Sequence, residues 1–263
     1  MNDDDIERRV THLVDGHRRF TRFEPFSGAL ALASLDEAYA VQRAYVQDLI
    51  ASQHTRLAGY KIGLTSPRMQ ALCGIDSPIA GRVLANRVLG DGVTLRRRDF
   101  GRLGIEFEIA VRIGRALPPE GAPYAFANVA TAVSAVAPAV EVVDDRNAEY
   151  QGLDMASLVA DNSWNAGLIL GTWRTCWPDL AELPGRVSRN GEFFDEGHGR
   201  DVLGHPAHAL TWLANHLAAH GEGLRAGDVV ATGSLVPTQF PSGPEHWHYR
   251  LGGMGELDFQ VID

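Results

Sequence analysis

The sequence predicts an α+β protein, and three features carry the prediction. The first fifty or so residues have helical periodicity. From about residue 80 short alternating strands and turns take over, and one well-marked helix interrupts them after residue 204. The helical opening rests on Asp36-Glu37-Ala38-Tyr39-Ala40-Val41-Gln42, which follows Ser34 as N-cap and carries Ala38, Val41, Tyr45 and Leu49 at helical spacing. Ser66-Pro67 places proline at a first helical position, with Met69 and Leu72 on one side, and predicts a second short helix.

The strands follow in order. Ile105-Glu106-Phe107-Glu108-Ile109-Ala110-Val111 alternates with period two, so its apolar residues share one face and Glu106 and Glu108 the other. Val129 to Val140 is too short to span a bilayer, contains Pro138, and reads as a buried helix running into a strand. Ala139-Val140-Glu141-Val142-Val143 is a further strand. Gly204-His205-Pro206 opens a helix through Leu210, Leu213 and Leu217 that Gly221 stops, with His205 as a cap or packing residue. Asp228-Val229-Val230-Ala231-Thr232-Gly233 reads as a buried strand, and Leu257, Phe259 and Val261 alternate in a last one. Glu245-His246-Trp247-His248 also alternates, which places its histidines on a strand rather than in a metal site. The composition divides the chain only into a helical segment, 1–55, and a catalytic-size remainder, 56–263.

Composition narrows the function. A formal charge of -9 and a pI near 5.5 argue against a nucleic-acid partner, and Arg96-Arg97-Arg98 is too small a cluster to reverse that. The acidic start Asn2-Asp3-Asp4-Asp5 is unlike a signal peptide, and no apolar run is long enough for a membrane span. Cys73 and Cys176 show neither CxxC nor zinc spacing, so a reducing cytoplasm is the expected compartment.

Lys61 stands out because it is the only lysine beside 23 arginines, in Gly59-Tyr60-Lys61-Ile62-Gly63-Leu64-Thr65. A chain that uses arginine for its other cations has a reason to keep one compact, titratable amine, although a stray surface lysine is the competing reading. Two glutamates at i and i+2 on a strand project side by side, as a hard divalent cation needs; the plainer reading is a solubilising exposed face. Glu141, in an apolar strand, tips the balance, because a buried anion needs a partner. Three carboxylates and one cation leave a charge of about -1, which one ammonium neutralises; oxygen-only ligation points to Mg²⁺ or Mn²⁺. Of the other polar positions, Arg146 in Asp144-Asp145-Arg146 is a candidate for a substrate carboxylate or a local ion pair. Asn162 in Asp161-Asn162-Ser163 is a candidate lining residue on a turn, and Ser234 after Gly233 lies in a candidate substrate loop.

Six segments occur in a familiar order: Gly59 to Ser66, Gly104 to Ala110, Pro138 to Asp144, Ala160 to Asn162, Leu203 to Pro206 and Gly227 to Gly233. In them the chain resembles the 2-oxopent-4-enoate (2-keto-4-pentenoate) hydratase and 4-oxalocrotonate decarboxylase branch of the fumarylacetoacetate hydrolase superfamily, over roughly residues 35–262. The resemblance implies a fumarylacetoacetate-hydrolase-like core of layered mixed β-sheets with flanking helices. It also implies a metal held by Glu106, Glu108 and Glu141, and Lys61 facing a 2-oxo acid of aromatic catabolism. The activity it implies is metal-dependent hydration of a 2-hydroxydienoate to a 4-hydroxy-2-oxo acid, with decarboxylation of a 4-oxalocrotonate-type acid as the alternative. A Lys61 Schiff-base lyase and a non-catalytic partner subunit are further alternatives. A homo-oligomer, associating in some cases with another pathway enzyme, goes with the resemblance. One departure stands out: where similar hydratases carry Pro-Asp-Phe-Gly, this chain has Pro78-Ile79-Ala80-Gly81.

Overall fold

The computed structural model describes residues 1–66, 70 and 75–263. The short helix expected after Ser66, with Met69 and Leu72, lies outside the described residues, as does Cys73; Cys176 is exposed and unpaired.

Helix α1 (Asp3–Arg18) starts at Asn2, whose side chain accepts from the Asp5 amide, and carries three aspartates in its first turn, where they complement the helix dipole. Helix α2 (Leu35–Ser52) is capped by Ser34 through the Glu37 amide and buries Ala38, Val41, Tyr45 and Leu49. The expected continuous helicity is broken between the two helices, where only Gly28–Leu30 forms a 3-10 turn. Pro25 removes a donor there, and Phe23 and Phe26 leave the surface to join the core, with the Phe26 amide bonded to Ser157 Oγ at 2.7 Å.

The strands are β1 (Leu57–Gly63), β2 (Ile79–Leu84), β3 (Val88–Gly90), β4 (Thr94–Arg96), β5 (Leu103–Ile113), β6 (Val133–Asp144), β7 (Asn165–Leu170), β8 (Pro184–Arg189), β9 (Glu192–His198), β10 (Val229–Ser234), β11 (Glu245–Leu251) and β12 (Gly255–Ile262). Helices α3 (Phe126–Ala130), α4 (Met155–Ala160) and α5 (Pro206–Ala219) lie between them. Seven strands form one mixed sheet in the order β2-β1-β10-β5-β6-β7-β3, and five form a second, β4-β12-β11-β8-β9.

The larger sheet curls on itself. Strands β2 and β3 occupy opposite ends of its order, yet only the turn Ala85–Arg87 separates them in the chain. On the inner face Val83, Ala110, Ala139, Leu168, Val229 and Ala231 pack together, small enough to let the strands close. On the outer face of β5, Phe107 meets Trp247 at 5.6 Å, Tyr249 at 5.4 Å and Phe259 of the second sheet. Both faces of β5 are therefore covered, and the alternation in its sequence marks two buried faces of different chemistry rather than core against solvent.

The N-terminal helices are tied to this core by a buried ionic cluster. Asp161 accepts from Arg146 Nη2 at 2.7 Å and contacts His17 Nε2 at 2.6 Å, while Arg146 Nη1 donates to the Thr21 carbonyl at 3.0 Å. Burial works to raise the Asp161 pKa, but His17 and Arg146 outweigh it and hold the carboxyl below its ordinary value. Removing one partner of such a buried pair leaves an uncompensated charge. Arg146→Ala is accordingly expected to lower stability by about 3–5 kcal/mol in urea unfolding. Because the folded pKa is depressed, Asp161 stabilises above the unfolded carboxylate value and loses that contribution as pH falls through the folded one. Asp161→Asn should flatten the acid limb of the stability profile below about pH 4, as followed by circular dichroism.

Candidate active site

Strand pairing assembles the carboxylates. Glu106 and Glu141 are direct cross-strand partners on β5 and β6, and Glu108 is the next inward-facing residue along β5. One oxygen from each of the three can be chosen so that all lie within 4.8 Å of one another. Lys61, on β1, is three strands from Glu141 in hydrogen-bonding order, which in a flat sheet is about 14 Å. The curl brings its Nζ to 3.3 Å from Glu141 Oε1.

Two glycines make room. A Cβ at Gly81 would lie 2.7 Å from the Asn162 carbonyl oxygen and 3.1 Å from Lys61 Cε, so the lysine stem and the 162–164 turn both pack on bare backbone. Gly233, at φ +125° in the irregular register between Ala231 and Ser234, donates its amide to Glu108 Oε2 at 2.8 Å, and a Cβ there would strike Thr65 Oγ1 at 2.2 Å.

Glu108 and Glu141 are fully buried, and Glu108 Oε1 and Glu141 Oε2 have no hydrogen-bond donor. Two buried carboxylate oxygens without donors among the described residues need a positive partner when ionised, and an oxygen-only set of three suits a hard divalent cation. Burial drives the Glu108 pKa well above its ordinary value, with Glu141 and Glu106 adding to it. Burial likewise pushes Glu141 up to about 7, Glu106 adding to that and Lys61 and Asn165 opposing it. Burial alone would lower Lys61, but Glu141, Glu106 and Glu108 together hold it above its ordinary value, so the amine is an ammonium in this field. A charged amine suits the stabilisation of negative charge and withdraws support from a neutral Schiff-base nucleophile.

The cluster opens into a cavity of about 70 Å³ walled by Ile79, Val143, Leu158 and Trp164, with Lys61 and Glu106 at its base. A cleft of about 360 Å³ adjoins it, walled by Leu64, Tyr150, Leu235, Val236 and Phe240. A larger groove of about 600 Å³ runs between α1 and α2 but holds no comparable carboxylate set, so chemistry rather than volume marks the site.

The other sequence candidates are placed differently. Arg146 spends its guanidinium on Asp161 and Thr21, and the neighbouring acids are engaged elsewhere, Asp145 pairing with Arg102. Asn162 uses its amide on the Arg82 backbone, accepting from N at 2.7 Å and donating to O at 2.9 Å. Both therefore brace the fold around the site, neither lines the cavity or the cleft described above, and of the Arg146 guanidinium only the buried Nε has no hydrogen-bond partner among the described residues. Ser234 lines the cleft, its hydroxyl donating to the Val236 carbonyl at 2.7 Å. Sequence reasoning missed Asn165, whose Nδ2 donates to Glu141 Oε1 at 2.8 Å, and Thr238, whose hydroxyl donates to Glu106. A buried amide opening the apolar run Asn165-Ala166-Gly167-Leu168-Ile169-Leu170 was a signal for the first; the loop carrying Thr238 has none.

Residues 68–262 match the fumarylacetoacetate (FAA) hydrolase C-terminal family, and the chain belongs to that family. It is 34% identical over 235 residues to 2-keto-4-pentenoate hydratase 2 of Dechloromonas aromatica (strain RCB), covering 89% of this chain and 88% of the relative. To 2-oxo-hept-4-ene-1,7-dioate hydratase of Escherichia coli it is 34% identical over 237 residues, 87% of each chain. Among solved structures, 4-oxalocrotonate decarboxylase from Pseudomonas putida G7, complexed with magnesium and adipate, superposes with a TM-score of 0.91 at 27% identity, covering 100% of this chain and 99% of that one. The same enzyme has been solved with calcium and acetate. The fold is thus the layered fumarylacetoacetate-hydrolase-like one.

The raised carboxylates fix how a cation binds. Mg²⁺ bound here would have to displace the proton of Glu141 below about pH 7, and that of Glu108, which burial also raises, so its affinity should rise between pH 5.5 and 7.5 with proton release, measured by titration calorimetry in two buffers. Without a cation the unfolded chain ionises first, near 4.5, so stability falls as pH rises from there toward 7, and the gain in Tm on adding Mg²⁺ should grow over the same range. Glu141→Gln should abolish most of that gain.

Proposed function

We propose that this chain is a divalent-cation-dependent lyase that hydrates a 2-hydroxydienoate or 2-oxo-enoate of the 2-keto-4-pentenoate type to a 4-hydroxy-2-oxo acid. The observation that carries it is the meeting of Glu106, Glu108, Glu141 and the ammonium of Lys61, with Lys61 and Glu106 lining a mostly apolar cavity. The hydratases among its relatives, each near one third identical over most of the chain, support the same reading. The three glutamates would hold Mg²⁺ or Mn²⁺, which when bound supplies a Lewis acid for a chelating 2-oxo carboxylate. From the dienol, the enol proton is lost and C5 takes one, giving the 2-oxo-3-enoate; the hydroxyl of water then adds at C4 and its proton goes to C3, completing the saturated 4-hydroxy-2-oxo acid.

The chain's own residues then have definable tasks. Lys61 sets a fixed positive charge beside the position where enolate charge develops, in a cavity dry enough for it to count. Ile79, Leu158 and Trp164 exclude bulk water and press the planar dienoate into one orientation. Glu106, the least buried of the three carboxylates, lies in both the cavity and the adjoining cleft, on the path by which water reaches the site.

Decarboxylation is the second reading, and Ile79 favours it. This buried side chain lines the cavity beside Lys61 where similar hydratases place an aspartate, so no acid at that position handles water. An apolar wall disfavours a substrate carboxylate and is relieved when CO₂ leaves, with the electron pair passing to the same dienolate. Further copies of the same chain are the partner this family reading implies, and light scattering on the purified protein checks it.

Two substrates separate the readings. With Mg²⁺ or Mn²⁺, loss of the 2-hydroxypenta-2,4-dienoate absorbance without CO₂ is expected, and EDTA should stop it. CO₂ release from 2-oxohex-3-enedioate, with no turnover of the dienoate, would replace hydration by the second reading. Lys61→Arg should keep the fold and lower kcat by about 100-fold or more, because a planar guanidinium does not fit the point-charge position against Glu141. Unchanged kcat in that variant would remove Lys61 from the mechanism.

A further inference from the structure

We propose that Asn165 is a positioning residue that fixes Glu141 as a one-oxygen ligand and so makes the site prefer Mg²⁺ or Mn²⁺ over Ca²⁺. The inference rests on the reading that Glu106, Glu108 and Glu141 hold a divalent cation.

Asn165 opens β7 at an irregularity in its pairing with β6: Val142 faces Gly167 and Val143 faces Asn165, so β7 carries one extra residue, Ala166. Such a bulge re-aims a side chain, here toward the inner face, where Asn165 is buried. Its Nδ2 donates to Glu141 Oε1 at 2.8 Å and lies 3.4 Å from the Gly167 carbonyl oxygen. A carboxylate accepts only, so the amide must present its nitrogen. Lys61 Nζ approaches the same oxygen at 3.3 Å. Two donors therefore converge on Oε1, and Oε2 is left buried without one.

The other two carboxylates are divided in the same way. Glu108 gives Oε2 to the Gly233 amide and keeps Oε1 without a donor, and Glu106 gives Oε1 to the Thr238 hydroxyl. Three carboxylates with one oxygen each already engaged offer three single-oxygen ligands. That set suits a small octahedral cation that retains waters, whereas Ca²⁺ gains from bidentate carboxylates and higher coordination. Among the three locks, Asn165 is the one formed by a side chain with no other task in the proposed reaction. An aspartate there would set a second anion 2.8 Å from Glu141 Oε1, which explains why an amide occupies the position.

Titration calorimetry of the full-length protein with Mg²⁺ and with Ca²⁺, on the parent, Asn165→Ala and Asn165→Leu, tests this. The expected result is a shift of about tenfold toward Ca²⁺ in the ratio of the two dissociation constants, the Mg²⁺ constant weakening in Asn165→Ala as Glu141 turns to offer both oxygens. Equal weakening of both cations, or a ratio within twofold of the parent, would assign Asn165 to packing alone and overturn the proposal. Should Asn165→Ala fail to fold, Asn165→Leu, near-isosteric and without a donor, decides by the same ratio. A parent that binds neither cation would overturn the metal reading itself, a result distinct from an unchanged ratio.

Discussion

The crowding of three carboxylates inside a closed sheet is the constraint around which the rest of the molecule is arranged. Two full charges 4.8 Å apart repel by about 3 kcal/mol at an effective dielectric of 20, and this site contains three such contacts against one ammonium. Burial raises Glu108 and Glu141 above the ordinary carboxylate range, and the repulsion adds to it. A cation would relieve the repulsion. The strand pairing that imposes the crowding is too rigid to let the side chains escape, since Glu106 and Glu141 are locked as cross-strand partners in the middle of two long central strands. Three carboxylates held this closely around one ammonium form a set that a divalent ion would suit, in line with the metal reading proposed above.

Other parts of the fold serve this arrangement. Curling the sheet carries Lys61 across three strands, and the inner face there is built mainly from alanine and valine, with Leu168 the one larger member of the cluster. The turn that closes the cavity is strained: Asn162, Ser163 and Trp164 adopt φ of 51°, 49° and 58°, left-handed values that cost non-glycine residues about 1–2 kcal/mol each. It is held by bonds on every side. Asn162 clamps the Arg82 backbone, Ser163 Oγ donates to the Ala80 carbonyl, and Asp161 is anchored by His17 and Arg146. The N-terminal helix therefore acts on the site at second hand, through Asp161, by bracing the turn that delivers Trp164 and Asn165 to the cavity.

What could be seen in the sequence follows from this division of labour. Lys61, Glu106, Glu108 and Glu141 were legible because each contradicts its surroundings: a lone lysine among arginines, and carboxylates in strands with buried apolar neighbours. Arg146 and Asn162 carry equally polar groups near the same motifs, and nothing in a linear pattern separates a group that faces substrate from one spent on the Arg82 backbone or on Asp161. Their roles depend on which donors meet which acceptors after folding. Asn165 was hidden for a sharper reason, because its direction is set by a one-residue bulge, and a single step of register reverses every side chain of a strand. The layered mixed sheets came from family resemblance, whereas the closure of the larger sheet needed the pairing of β3 with β7, a contact between segments about eighty residues apart.

Hydration and decarboxylation differ less at this site than their products suggest. On the proposed mechanism each passes through an enolate-type intermediate whose charge the same ammonium would meet, so the residues that stabilise it would not choose between them. The choice belongs to the groups around the distal carbon. An acid there can give and take the protons of water, while an apolar wall withholds solvation from a carboxylate and favours its departure as CO₂. Ile79 occupies that ground in this chain, at 2% exposure and in the same cavity as Lys61. If hydration is nonetheless the reaction, the proton transfers must fall to a group outside that position, and Glu106 is the carboxylate placed to receive water from the cleft. Its oxygen held by Thr238 would then be the ordering element, and the reaction would use one glutamate both to hold the cation and to order the water beside it.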